Sequence, residues 1–146
     1  MNFRDFSIFK GMKMKLAVIG SKEFKDYRKL KSVLDQLSGI TAIVSGAASG
    51  TDAMAARYAK VHNIKLIEFP PDYKNYGEEA KHFRDRQIVE NCDSLIAFWD
   101  GKCEGTKYTI EYAEKLEIPL KVISIQSSPL EGENPEIFRE EGFSVK

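Results

Sequence analysis

Three glycine-containing turns carry the residue types that can hold an anionic ligand. The first is Gly20-Ser21-Lys22-Glu23-Phe24. The second is Ser45-Gly46-Ala47-Ala48-Ser49-Gly50-Thr51-Asp52, and the third is Phe98-Trp99-Asp100-Gly101-Lys102-Cys103-Glu104-Gly105-Thr106. Small residues let the backbone approach a ligand closely, and a helix start offers N–H groups and a partial positive charge. We therefore expect phosphate to bind where these turns meet.

The polar side chains of these turns have expected roles in binding. Ser21 and Thr106 are predicted to offer hydroxyls, and Arg84, from a helical segment upstream of the third turn, to offer a planar cation suited to phosphate. Asp52 is placed to cap a helix or brace its loop, with contact to a ligand hydroxyl as the alternative. The full set of predicted ligand-binding residues is Gly20, Ser21, Lys22, Phe24, Ser45, Gly46, Ala47, Gly50, Thr51, Asp52, Arg84, Trp99, Gly101, Gly105 and Thr106.

Two aromatic residues are candidates either to pack in the core or to stack on a base. Phe24 and Trp99 can flank a base, although an aromatic residue that closes a strand often simply packs. The turns contain neither Gly-Lys-Ser/Thr nor G-x-G-x-x-G, so neither a P-loop nor a dinucleotide fingerprint is present. We assign no metal ligand, because the sequence shows no cluster with metal-ligand spacing. We also assign no catalytic residue.

The elements that position these turns are strands alternating with helices. Apolar runs at 16–19, 40–44, 64–69, 95–99 and 120–125 are typical of buried strands, and Lys65 and Glu68 suggest that the third lies at an edge. Between the runs, apolar residues at helical spacing predict four helices. Their apolar positions are Tyr27, Leu30, Leu34 and Leu37 in the first; Met54, Tyr58 and Val61 in the second; Ala80, Phe83 and Ile88 in the third, from about 78 to 91; and Ile110, Ala113 and Leu116 in the fourth. This alternation predicts a Rossmann-like three-layer αβα fold, with a five-stranded parallel sheet of order 3-2-1-4-5.

The predicted domain covers residues 14–126. Residues 1–13 are interpreted as an N-terminal extension, and residues 127–146 as a C-terminal tail or an added edge element. Lys plus Arg and Asp plus Glu both total 22, so the chain lacks the basic excess typical of proteins that bind duplex DNA. The chain has two cysteines, without the paired spacing of a zinc site, and no apolar run long enough to cross a bilayer. These features favour a cytoplasmic protein with no membrane span.

Taken together, the motifs resemble the YspA/YpsA-related branch of the SLOG superfamily over about residues 15–125. The matching pattern is Gly20-Ser21-x-x-Phe24, Val44-Ser45-Gly46-Ala47-x-x-Gly50-x-Asp52, Ala80-x-x-x-Arg84-Asp85 and Phe98-Trp99-Asp100-Gly101-x-x-x-Gly105-Thr106. The resemblance implies a Rossmann-like sheet that binds nucleotide-derived molecules, in some members signalling nucleotides. The family's usual Arg, Asn and Ser are replaced here by Lys22, Asp85 and Cys103.

Two related groups supply alternative functions. Arg84-Asp85-x-x-Ile88 and Gly105-Thr106 resemble the Lonely Guy phosphoribohydrolases, but Thr109 stands where that motif has a catalytic Glu. A missing carboxylate removes acid–base help for breaking an N-glycosidic bond, and Glu104 is the remaining candidate to replace it. The second-turn motif and Arg84-Asp85-Arg86 are similar to DNA-processing protein A, which implies single-stranded DNA as a ligand.

The function we expect is binding of a phosphate-bearing, nucleotide-derived small molecule. Single-stranded DNA binding and nucleotide N-glycosidase activity are the alternatives, and the zero net charge favours the small ligand. The sequence does not indicate a cofactor and predicts no membrane partner. It is compatible with a homo-oligomer.

Overall fold

The computed structural model describes residues 13–126. Apart from Lys13, the expected N-terminal extension and the C-terminal segment 127–146 lie outside these residues. The described residues form strands β1 (Met14–Gly20), β2 (Ile40–Ser45), β3 (Lys65–Glu68), β4 (Ser94–Trp99) and β5 (Leu120–Ser124). The helices are α1 (Tyr27–Leu34), α2 (Thr51–Val61), α3 (Tyr73–Tyr76), α4 (Ala80–Glu90) and α5 (Glu104–Lys115), with a 3₁₀ turn at Gly77–Glu79.

The five strands form one parallel sheet of order β3-β2-β1-β4-β5, which confirms the predicted fold and strand order. The chain builds outward from β1 to β3 and then returns to place β4 on the other side of β1. The strand order therefore reverses between β1 and β4, and ligands of open parallel sheets bind beyond the carboxyl ends at such a point.

Alternating side chains of the central strands bury both faces of the sheet. Leu16 and Val18 of β1 pack with α1 and α2, whereas Ala17 and Ile19 pack with α4 and α5. Because successive strand residues point to opposite faces, continuous apolar runs of this kind need a helical layer on each side. The result is a three-layer arrangement in which α4 and α5 share the face occupied by Ile19.

Several helix predictions were wrong at their ends. α1 stops at Leu34, and Leu37 follows in a turn closed by its N–H to the Leu34 carbonyl, at 3.0 Å. Val61 is 64% exposed and Leu116 41% exposed, because they lie at the last position of α2 and just after α5, respectively. The helical pattern ran past the carboxyl ends of α1 and α5, whereas in α2 it ended with the helix at Val61.

The third helical segment is also broken up. α4 begins at Ala80 after the 3₁₀ turn, later than the predicted start near residue 78. Phe83 was expected in the core but is 38% exposed, and its ring lies 4.2 Å from that of Tyr76.

Among residues 13–126, no helix is both long and apolar enough to span a bilayer.

Candidate functional site

The first and second turns are tied together through the backbone of Ser21. Its carbonyl accepts the Thr51 N–H at 3.3 Å and the Thr51 hydroxyl at 2.9 Å, while its own N–H donates to the Phe98 carbonyl at 3.0 Å. Gly20 makes this approach possible, because a Cβ there would collide with the Phe98 carbonyl and would reach the Thr51 hydroxyl at 2.6 Å. These contacts fix the carboxyl end of β1 relative to β4 and to the start of α2.

The loop between β2 and α2 (residues 46–50) is tightly constrained. Gly50 has a φ of +69°, and a Cβ at this position would collide with the backbone of Lys22. Ala47 also has a positive φ, of 64°, which is uncommon for a residue with a side chain. Asp52 braces the loop by accepting the Ala48 N–H at 3.1 Å. The loop is thus held in one unusual conformation from both ends.

Arg84 of α4 reaches the same loop. Its Nη1 donates to the Gly46 carbonyl at 2.5 Å and its Nε to the Asp85 carboxylate at 2.8 Å. A Cβ at Gly46 would overlap the guanidinium, so this glycine makes room for the arginine. The guanidinium is almost fully buried, and two hydrogen bonds hold it in position.

Two buried carboxyl groups lie near this arginine. Burial raises the pKa of Asp52 to about 6, although the Ala48 N–H and the positive charge of Arg84 oppose the shift. Burial likewise raises the pKa of Asp85 above its usual value, again against the effect of Arg84. Perturbed carboxyl pKa values in a cleft occur often at functional sites.

The loop between β4 and α5 (residues 100–103) is built differently. Asp100 accepts the N–H groups of Lys102 and Cys103 at 2.8 and 2.9 Å, and the Trp99 indole N–H donates to the Cys103 carbonyl at 3.0 Å. Apart from the adjacent residues and, for Gly105, the backbone of its own helix, no atom of the described residues lies within 4 Å of where a Cβ would stand at Gly101 or Gly105. The start of α5 therefore borders open space.

A cavity of about 370 Å³ lies where these parts meet, and we call it the arginine cavity. It is within the size range of small-molecule sites. Its lining residues are Ile19, Gly20, Lys22, Ala48, Asp52, Lys81, His82, Arg84, Asp85, Ile88, Cys103, Gly105, Thr106 and Thr109. Three of them carry a fixed positive charge, namely Lys22, Lys81 and Arg84.

The structure brings some of the predicted site residues into this cavity. Those that line it are Gly20, Lys22, Asp52, Arg84, Gly105 and Thr106. Those outside its lining are Ser21, Phe24, Ser45, Gly46, Ala47, Gly50, Thr51, Trp99 and Gly101. Many of the second group act on the backbone that shapes the cavity, as the contacts of Ser21, Gly46 and Thr51 show.

The two aromatic residues predicted to flank a base are placed elsewhere. Phe24 is buried in the core and stacks on Phe98 with ring centroids 5.3 Å apart. Trp99 is half-buried, and its indole N–H is used within its own loop. The hydroxyl of Ser21 is buried as well, with 2% of the residue exposed.

Residues of α4 were the main omission from the predicted site. Lys81, Asp85 and Ile88 line the cavity together with Arg84. Their spacing of three or four residues places them on one helix face, which the sequence already contained as a signal. His82, an exposed residue of the same helix, also lines the cavity. No group of three or more metal-binding side chains occurs within residues 13–126.

The hydroxyl of Thr109, which stands where the Lonely Guy motif has a catalytic Glu, is already engaged in a hydrogen bond. Thr109 is buried, and its hydroxyl donates to the Gly105 carbonyl at 3.0 Å. Glu104, the candidate replacement, lines an adjoining cavity rather than the arginine cavity.

Comparison with known families identifies the first half of this arrangement. The model of the YspA, cpYpsA-related SLOG family matches residues 14–76. This match confirms the resemblance inferred from the motifs over residues 14–76, which contain the first two turns. Arg84 and the start of α5 follow these residues in the chain. Searches of curated proteins and of solved structures gave no match.

Proposed function

We propose that the arginine cavity binds the phosphate of a nucleotide-derived small molecule. The observation that carries the proposal is the meeting of three cations, Lys22, Lys81 and Arg84, with the first turn of α5 on one cavity. First-turn N–H groups have no acceptor within their helix, and the helix start carries a partial positive charge. The match of residues 14–76 to the SLOG family model supports a nucleotide-related ligand.

The charge balance of the lining favours an anion. With both carboxyl groups ionised, the three cations still exceed Asp52 and Asp85 by one charge. The excess grows as the carboxyl groups take up protons, because the pKa values of both are raised. Gly105 leaves space beside the helix start, so a phosphate oxygen can approach the N–H groups directly.

The proposal is for binding rather than for hydrolysis or DNA processing. Thr109 stands where the Lonely Guy motif has its catalytic Glu, and its hydroxyl donates to a helix carbonyl, so the site lacks that carboxylate. The cations converge on a cavity of about 370 Å³, which suits a small ligand better than a long phosphate backbone. We place the protein in the cytoplasm, in keeping with its two unpaired cysteines.

The test removes the two exposed cations and leaves buried Arg84 in place. In the double variant Lys22→Ala/Lys81→Ala, affinity for adenosine, guanosine, cytidine and uridine monophosphates in calorimetry should fall about tenfold or more. The control Lys25→Ala/Lys115→Ala removes two exposed lysines outside the cavity lining and should bind as the parent does. Native mass spectrometry of freshly purified protein extends the search to co-purified nucleotides.

A labelled single-stranded oligonucleotide, titrated at two salt concentrations, distinguishes the alternative. Tight and strongly salt-dependent binding of the oligonucleotide, with no nucleotide response, would overturn the proposal. Equal loss of nucleotide affinity in both double variants would also contradict it, since the effect would then not depend on the cavity.

A further inference from the structure

A second cavity of about 300 Å³ adjoins the arginine cavity. It is lined by His82, Glu104, Gly105, Lys107, Tyr108 and Glu111, and we call it the glutamate cavity. His82 and Gly105 line both cavities, so the two spaces meet at the start of α5. A ligand held at this helix start can therefore extend from one cavity into the other.

The two cavities differ in charge. Three cations and two carboxyl groups with raised pKa values line the arginine cavity. The glutamate cavity is lined by two carboxylates, those of Glu104 and Glu111, and by one fixed cation, Lys107. Carboxylates accept hydrogen bonds and repel phosphate, so this space suits hydroxyl or amino groups. The charge difference gives a phosphorylated ligand one favoured orientation.

An ordered pair of rings contributes to the glutamate cavity. The rings of His82 and Tyr108 are stacked with centroids 4.1 Å apart and an angle of 16° between planes. Arg86 donates to the Tyr108 hydroxyl at 2.7 Å, which fixes the outer end of the tyrosine. Planar side chains of this kind bind nucleobases by stacking, with little dependence on base identity.

We propose that the ligand is a ribonucleoside phosphate, with its phosphate in the arginine cavity and its nucleoside in the glutamate cavity. The base stacks against the His82–Tyr108 pair, and the ribose hydroxyls donate to Glu111 and Glu104. This inference rests on the proposed function, because the phosphate site sets where the nucleoside begins. It assigns a base-binding role to α4 and α5 rather than to Phe24 or Trp99.

The orientation predicts a preference for ribose over deoxyribose. A carboxylate that accepts from the 2′-hydroxyl loses that bond when the hydroxyl is absent, at a cost of about fivefold to tenfold in affinity. A sugar phosphate without a base loses the stacking contact and should bind about tenfold more weakly than the nucleotide.

The experiment compares adenosine and guanosine monophosphates, their 2′-deoxy forms and ribose 5-phosphate by calorimetry. Glu111→Ala should abolish the ribose preference, and Tyr108→Leu should weaken nucleotide binding while leaving ribose 5-phosphate unchanged. Glu114→Ala, on the same helix, and Tyr73→Leu, an exposed tyrosine outside both cavities, are the matched controls. Thermal melts confirm that each variant is folded.

The outcomes separate this inference from the function on which it rests. Nucleotide binding that requires Lys22 and Lys81 but is unaffected by Glu111→Ala and Tyr108→Leu would overturn the orientation alone. Equal affinities for nucleotide and ribose 5-phosphate would do the same. Failure of every phosphate-bearing probe to bind the parent protein would overturn both proposals.

Discussion

The two glycine-containing loops that precede α2 and α5 look alike in the sequence but are built in opposite ways. In the β2–α2 loop, a side chain at Gly46 or Gly50 would collide with Arg84 or with the backbone of Lys22. Beside Gly101 in the β4–α5 loop and beside Gly105 in the first turn of α5, the space is open within the part of the chain that the structure describes. The first loop needs its glycines for close contacts of the protein with itself. The second has room for something else.

The contrast assigns different work to the two helix starts. The first is used internally, since the Thr51 N–H and hydroxyl both donate to the Ser21 carbonyl. Its carboxylate, Asp52, turns back to brace the loop. The start of α5 is the one that lines the arginine cavity with Gly105 and Thr106. A small-residue turn before a helix is therefore either a brace or a binding surface, and the surrounding contacts decide which.

Gly50→Ala should give the largest effect, by breaking the braced loop. Gly50 combines a φ of +69° with a ψ of −123°, a region essentially restricted to glycine, and lies against the Lys22 backbone. We expect a loss of about 3 kcal/mol or more in the free energy of unfolding, measured by urea denaturation. Gly101→Ala, with a φ of +81° but open space around it, should lose only about 1–2 kcal/mol. Equal losses at the two sites would remove the contrast.

Asp52→Asn tests the cost of placing a carboxyl in the braced loop. The folded-state pKa of Asp52 is raised to about 6 from an ordinary value of 3.8, so folding favours its protonated form. The wild type should therefore lose stability relative to the Asn variant as pH rises from about 4 to 7, by about 1–3 kcal/mol. Urea denaturation of both proteins across this range measures the difference, which should vanish at the acidic end. A difference that grows towards low pH would contradict the expected sign.

Gly46→Ala should disturb the arginine rather than the loop conformation. The new methyl group overlaps the Arg84 guanidinium, which must leave its bond to the Gly46 carbonyl. Because the displaced cation lines the cavity, we expect the affinity for nucleoside monophosphates, measured by calorimetry, to fall about tenfold. Unchanged affinity would mean that Arg84 does not contact the ligand.

Gly105→Ala is expected to have the smallest effect on stability and to affect binding instead. Alanine is a better helix former than glycine, and the site is open, so the folded protein should gain up to about 0.5 kcal/mol. The added methyl group stands where a phosphate would approach the helix, so nucleotide affinity should fall. A variant that gains stability and keeps full affinity would show that the open loop is not the binding surface.

The alternation of strands and helices could be predicted because it depends on local patterns, and the strand order because few topologies satisfy the rules for parallel connections. The continuous apolar runs of β1, β2 and β4 predict strands buried on both faces, and parallel connections then leave few topologies. Helix ends could not be placed by periodicity, since nothing in the spacing of Val61 or Leu116 shows where the sheet stops covering a helix.

The residues that line the arginine cavity were predicted in part for a similar reason. Motif residues identify the turns, but the role of each depends on contacts across the chain, such as that of Arg84 with Gly46. Asp52 shows both sides of this limit. Its bracing of the loop was one of the two expected roles, yet the rise in its pKa depends on burial that the sequence does not reveal. Lys81, which lines the cavity, was not among the predicted residues, because the prediction used the motif residues of α4 and not the helix face around them.

Cys103 gives the protein a built-in chemical reporter. The chain has two cysteines, and burial raises the pKa of Cys92 to about 12, which leaves that thiol almost unreactive at neutral pH. Cys103 is partly exposed and lines the arginine cavity, where its sulfur accepts the Thr106 hydroxyl at 3.3 Å. The rate of alkylation should therefore report on one thiol, and any molecule that fills the cavity should slow it. Compound libraries can be screened for occupancy in this way with the unmodified protein, before its natural ligand is known.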